Sequence, residues 1–310
     1  MNSFCMLIKR NIKLFFKDKG MFFCALITPL ILLVLYITFL GNVFKDSFLM
    51  NMPAGLEVSE GVINGFAGGQ LFSSLLAVCC VTVAFCANML MVQDKITGAR
   101  KDLLITPLKK SKLALSYFIS TFLSTLLICV VAMVACFIYM AIVGWYMTFA
   151  DCLFILLDVF VLTMFGTALS SLVNYFLKSQ GQVTAVGSIV SSMYGFISGA
   201  YMPIASFGAG IQSVLMYFPS TYASSLIRNH TMRGLFGELA NQGLPAEVIK
   251  EIQNGIDYNL YVNGTQISVG AMYGIVVATT VVLLGIYVLL NVLNAKKKSD
   301  GKVKTKKVRK

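Results

Sequence analysis

Residues 113–150 read LALSYFISTFLSTLLICVVAMVACFIYMAIVGWYMTFA, without one Asp, Glu, Lys, Arg or His. About 20 predominantly apolar residues suffice to cross the hydrocarbon core of a bilayer as a helix. A soluble core has no need of such a length. Residues 179–227 carry none of those five residue types either. Over all 310 residues 57% are hydrophobic and 12% charged, about half the charged fraction of a soluble domain. The chain therefore reads as an integral membrane protein.

Working outward from that stretch, spans fall at 20–42, 66–92, 113–142, 152–177, 183–202 and 268–292. Helices are expected, because a helix satisfies its own backbone groups in lipid, and the in/out alternation of barrel strands is missing. The expected fold is all-α: a polytopic membrane protein of six transmembrane helices, with an N-terminal interfacial helix and re-entrant helices after the fifth span.

Charge sets the orientation. Of the 25 lysines and arginines, 21 lie in segments 1–19, 93–112, 178–182 and 293–310. Six spans put these segments on one side, which the positive-inside rule makes the cytoplasm. The plasma membrane, with both termini cytoplasmic, is the expected location. This placement also accounts for the net charge of +12 without nucleic acid. The basic tail 293–310 has no apolar face. It is expected to stay unstructured and to associate with anionic lipid at about 1 kcal/mol per basic residue.

Residues 3–17 form the periodic pattern of an interfacial helix, with Phe4, Leu7, Ile8, Ile12 and Phe15 on one face and Lys9, Arg10, Lys13 and Lys17 on the other. The core domain spans 20–292, and Pro29 should kink its first span. Within it, 203–267 is the re-entrant and extracellular segment. Pro203 and Pro219 bracket an apolar stretch too short to cross and return, and 235–257 has the mixed pattern of a small external helical cap.

Several chemistries are missing from the sequence. No GxxxxGK[ST] occurs, so the chain has no phosphate-cradling loop, no catalytic residue is assigned, and the chain is not expected to be an enzyme. The eight cysteines sit in or beside apolar runs with no metal-ligand spacing. His230 is placed in an outside loop without a His or Cys partner. The glycosylation-type triplets at Asn229 and Asn263 are taken as chance. Asp158 is the one ionisable group within a span, expected about 10 Å deep, and reads either as an interfacial acid or as a functional one. Small or polar residues recur at helical spacing in the second span, including Gln70 and Asn88, and in the fifth, including Ser191 and Ser198. Such stripes serve helix packing or line a pathway.

The loop VQDKITGARKDLLITPLKK, 92–110, is the most informative segment. A short amphipathic helix is expected there, ended near Pro107 because proline disfavours helix in the residue before it. Its order of Asp94, Gly98, Asp102, Leu103, Leu104, Thr106, Pro107 and Leu108 resembles the first coupling segment of ABC-2 type permeases, while Gln93, Lys95, Arg100 and Lys101 make its first half more basic than the common pattern; the coupling contacts the resemblance implies include Lys101. The N-terminal interfacial helix, Pro29, the glycine- and serine-rich fifth span and Phe218-Pro-Ser-Thr-Tyr222 agree with that resemblance.

The resemblance implies a permease subunit of an ATP-binding-cassette exporter. It would pair with a second permease subunit, as homodimer or heterodimer. It would take its energy from ATP and Mg bound by a separate ATPase subunit, with no cofactor in this chain. Residues 93–112 would be the coupling segment, and Lys178, Gln180 and Gln182 a second cytoplasmic contact. The cargo it implies is a hydrophobic or amphipathic drug, peptide or lipid-linked molecule. An ion-coupled secondary transporter and a non-transporting membrane scaffold or signalling subunit remain as alternatives.

Overall fold

The computed structural model describes residues 3–50, 52, 58–105 and 109–307, and the side chains of these except Ile37 and 294–307. In chain order the helices are α1 Ser3–Lys17, α2 Lys19–Leu35, α3 Gly41–Met50, α4 Glu60–Ile96, α5 Ala99–Ile105, α6 Lys110–Val143, α7 Phe149–Phe176, α8 Gln180–Ile197, α9 Ala209–Leu215, α10 Pro219–Asn241, α11 Ala246–Gly255 and α12 Val269–Lys307. A π-helical stretch, Tyr36–Leu40, joins α2 to α3. The strands Tyr261–Val262 and Thr265–Gln266 form a two-residue hairpin before α12.

Among the described residues, five helical segments are long and apolar enough to cross a membrane: Lys19–Met50, Glu60–Ile96, Lys110–Val143, Phe149–Phe176 and Val269–Leu293. The chain is an all-α, multi-pass membrane protein. The first span is longer than the 20–42 expected, because the helix passes Pro29 and continues through the π turn. The expected fifth span is α8, with only 18 residues and a rise of about 27 Å. It is not one of the five, because Gln180, Gln182 and a run of serines and glycines dilute its apolar character. The tail also departs from expectation, since α12 continues as helix to Lys307.

α4 is the axis of the bundle. It is buried along nearly all of its apolar length, whereas α6 and α12 turn most of theirs outward, as helices facing lipid would. α2, α6, α7, α8 and α10 all pack against it, and its small residues permit that crowding. The approach of α7 is tightest at Gly166, where a Cβ would sit 2.7 Å from the Cys80 carbonyl oxygen. Further along, Asn88 Nδ2 donates to the Ser170 and Ser171 hydroxyls of α7 at 3.2 and 2.9 Å.

The segment after α8 is organised differently from the expectation. Pro219 opens a 23-residue helix, α10, at the position where proline costs no hydrogen bond. α10 packs against α4, α7 and α12 and is buried from Ser220 to Met232. The expected cap over 235–257 is therefore split between the end of α10 and the separate helix α11.

Candidate functional site

The basic segments converge at one end of the bundle. Asp94 and Lys95 belong to the last turns of α4, not to a loop. Gly98, at φ +86°, then turns the chain, a conformation in which a side chain is strained, and α5 begins at Ala99. α5 is described from Ala99 to Ile105. Thr106, Pro107 and Leu108 lie outside the described residues.

Each neighbour of this turn is tied to it. Arg10 of α1 donates to both carboxylate oxygens of Asp94, at 2.8 and 3.1 Å, and the Tyr117 hydroxyl of α6 donates to the same carboxylate at 2.6 Å. The hydrogen bond to Asp94 raises the Arg10 pKa further above its already high value. Lys95 Nζ donates to the carbonyl oxygens of Asn174 and Tyr175 at 2.8 Å each, and to Leu177 at 3.4 Å. These are the orphan carbonyls at the C-terminus of α7, where a cation is favoured. Arg100 of α5 donates to Asn291 of α12 at 3.1 Å. The turn thus touches α1, α6, α7 and α12.

The two leucines of α5 have different surroundings. Leu103 is half-buried against the cluster of Leu7, Leu113, Tyr117 and Tyr287. Leu104 is 36% exposed and Ile105 83% exposed, with Lys101 and Asp102 exposed beside them. The outward apolar edge is therefore Leu104–Ile105, and Leu103 seats the helix. Lys178, Gln180 and Gln182 are exposed at the same end. Ser179 caps α8 there, and the Gln182 side chain accepts from the Lys178 amide at 2.7 Å.

A groove of about 560 Å³ runs between α2, α4 and α8, its lining including Thr28, Ile31, Cys86, Gln180, Ser188 and Ser191. Of the four residues proposed from sequence to line a pathway, Ser191 faces this groove. Gln70, Asn88 and Ser198 are instead buried inside the bundle.

At the opposite end Asp158, singled out from the sequence, belongs to a set of buried charged residues whose partners the sequence did not reveal. Asp158 is nine residues into α7, about 14 Å by helical rise, and is fully packed. His230 of α10 places Nδ1 2.7 Å from its Oδ2, and the Tyr273 hydroxyl of α12 donates to its Oδ1. His230 is thus a partnered, buried residue of a packed helix, not a loop residue. Two residues away, buried Arg228 donates to the Gly199 carbonyl at 3.0 Å and lies 3.8 Å from Asp257. The Asp257 carboxylate accepts from the amides of Ile204 and Ala205 at 2.6 and 3.0 Å. Burial pushes the Asp257 carboxyl up, against the pull of Arg228 and the two amides. Arg233 pairs with Asp151 at 2.7 Å. Among the described residues, no three His, Cys, Asp or Glu side chains converge as a metal ion would require.

Pro219 as a helix opener, followed by 25 residues with no further proline, was the signal that could have found α10. The Asn229 triplet lies within this packed helix, with Asn229 Nδ2 donating to the Tyr258 carbonyl at 2.7 Å.

A family model described as ABC-2 family transporter protein matches residues 50–294. That range takes in α5, the groove-lining α8 and the buried charges around α10. No curated protein and no solved structure matches the chain. The match covers most of the sequence, and the chain belongs to the ABC-2 family of transporter proteins.

Proposed function

We infer that this chain is the permease subunit of an ATP-binding-cassette exporter, driven by a separate ATPase subunit that binds ATP and Mg. The observation that carries the reading is the seat of α5. A seven-residue helix holds an outward edge of Leu104 and Ile105, while Leu103, Arg100 and the turn at Gly98 fix its back to the bundle. An apolar edge on a charged surface suits a protein partner. A push on that edge would pass to α4 through Gly98 and to α1 through Asp94 and Arg10. Lys95 links the same turn to the end of α7, next to the second contact at Lys178, Gln180 and Gln182.

The basic end is the cytoplasmic end in this reading, by the charge count. α8 is the sixth crossing. It starts beside Lys178 at the basic end and finishes near Ser224 and Thr221 of α10 at the other. α9 and the first half of α10 are the re-entrant segment. α8 leaves Thr184, Ser188 and Ser192 exposed, and hydroxyl-bearing faces gain little from lipid but pack well on another helix. This favours a second permease copy across α8. The groove beside it then lies on the export pathway, and its aliphatic walls with scattered hydroxyls suit a hydrophobic or amphipathic cargo.

An ion-coupled secondary transporter is the second reading, and the buried Asp158–His230 pair is the observation in its favour. Purification of the tagged chain from its native membrane separates the two. The exporter reading expects an ATP-hydrolysing chain to co-purify in stoichiometric amount and cargo movement to stop when ATP is withheld. Cargo movement driven by an ion gradient alone, with no such chain bound, would overturn it.

A further inference from the structure

The buried group of Asp158, His230 and Tyr273 is not used by the coupling mechanism. Its three side chains come from α7, α10 and α12, so it joins the re-entrant helix to two spans. The Asp158 carboxylate has both oxygens occupied, Oδ2 by His230 Nδ1 at 2.7 Å and Oδ1 by the Tyr273 hydroxyl. With Asp158 ionised, its carboxylate only accepts, and Nδ1 then carries its proton toward Asp158. The ring atom left to gain or lose a proton is Nε2, which has no hydrogen-bond partner among the described residues. The His230 ring stacks on Phe154 at 5.0 Å between centroids, and its side chain keeps 7% exposure.

The surrounding charges balance one another. α7 contributes Asp151, which Arg233 of α10 neutralises. The other cation of α10, Arg228, is matched by Asp257. α4 has no Asp, Glu, Lys, Arg or His between Glu60 and Asp94, and its Cys80 thiol reaches the Val159 carbonyl at 3.9 Å. α12 contributes Tyr273 and no charged residue before Leu293. α11, packed on α10, carries Glu247, Lys250 and Glu251, all exposed. α10 also carries Glu238, which accepts from Gln242 at 3.0 Å, and none of these charged side chains hydrogen-bonds to Asp158 or His230.

We propose that Asp158, His230 and Tyr273 form a proton-binding site that latches α10 to α7 and α12. With a proton on Nε2, imidazolium and carboxylate form a neutral, charge-assisted pair. When that proton leaves to solvent, Nδ1–H still donates, but one negative charge is left in a dry interior, where it is costly. The latch is then weaker and α10 is freer to part from the spans. The site holds α10 at the non-basic end of the bundle whether or not an ATPase supplies the drive.

His230 is the only histidine in the chain, which makes a direct test possible. The full chain is labelled with 13C,15N-histidine and placed in lipid nanodiscs. Its single imidazole signal is followed with pH beside hydrogen exchange of the α10 amides, corrected for intrinsic exchange. The ring signal should pass from imidazolium to the neutral form as pH rises. Protection of α10 should fall about tenfold with the same midpoint, the difference between a charge-assisted and a weaker hydrogen bond. Asp158→Asn and His230→Gln should each remove the pH dependence of α10 protection. A ring signal that does not change over the range in which the chain stays folded would overturn the proposal. So would α10 protection that ignores pH, or that follows pH equally in both variants. If a variant fails to insert, coincidence or mismatch of the two midpoints in the native chain decides alone.

Discussion

Arg10 of the interfacial helix grips both oxygens of Asp94 on the last turns of α4, 84 residues away in sequence, and so ties the N-terminal helix to the central helix of the bundle. The pair sits at the rim, with side-chain exposures of 32% for Arg10 and 7% for Asp94. Leaving the mostly buried Asp94 without its cation costs more than losing a surface bridge.

Arg10→Ala should therefore lower stability by about 1–3 kcal/mol, read as a drop in thermal midpoint of the purified chain. Arg10→Lys keeps the charge but loses the bidentate geometry, so it should recover part of that loss. Equal midpoints for native chain and Arg10→Ala would show that the pair holds nothing together.

The two leucines of α5 should separate stability from partner binding. Leu103→Asp puts a charge against Leu7, Leu113 and Tyr287 and should destabilise the chain by roughly 1–3 kcal/mol. Leu104→Asp with Ile105→Asp changes an exposed edge and should leave the thermal midpoint within about 0.5 kcal/mol of native, while bound ATPase activity is lost. The seat-and-edge assignment fails if the double variant melts early and the Leu103 variant does not.

Gly166 tests the central packing. A Cβ there meets the Cys80 carbonyl oxygen at 2.7 Å and Val81 Cα at 3.0 Å, so Gly166→Ala should force α7 from α4 and cost about 1–3 kcal/mol. Gly274→Ala has open space around the added methyl and should be neutral or slightly stabilising. Equal thermal midpoints for the two variants would contradict the close α4–α7 approach.

Sidedness follows from the basic end. On a background without cysteine, Lys109→Cys and Asn241→Cys both introduce thiols at exposed positions. An impermeant reagent added to intact cells should label the second and not the first. Labelling of Lys109→Cys from outside would reverse the topology.

Much of this was legible in the sequence because membrane spans obey one strong rule, a continuous apolar run. The helix at 3–17, the spans α4, α6, α7 and α12, and a short helix in the 93–112 segment all follow from periodicity and charge. α8 reads less plainly as a span than the other five, because Gln180, Gln182 and its serines and glycines interrupt the apolar run. α10 was missed for the opposite reason. Arg228, His230 and Arg233 look like loop residues until Asp257, Asp158 and Asp151 are brought to them from elsewhere in the chain, and no local pattern announces such long-range pairing. Burial of Leu103 against exposure of Leu104 was likewise invisible, since it depends on Tyr287 and Leu7 packing on one side of α5.

The central claim, that the exposed edge of α5 meets an ATPase, is tested most directly by a photo-reactive amino acid placed at Ile105. In native membranes it should crosslink to a chain that binds and hydrolyses ATP, while the same probe at Val281, exposed on α12, should not. Capture of lipid alone at Ile105, or of the ATP-hydrolysing chain equally at both positions, would contradict the account.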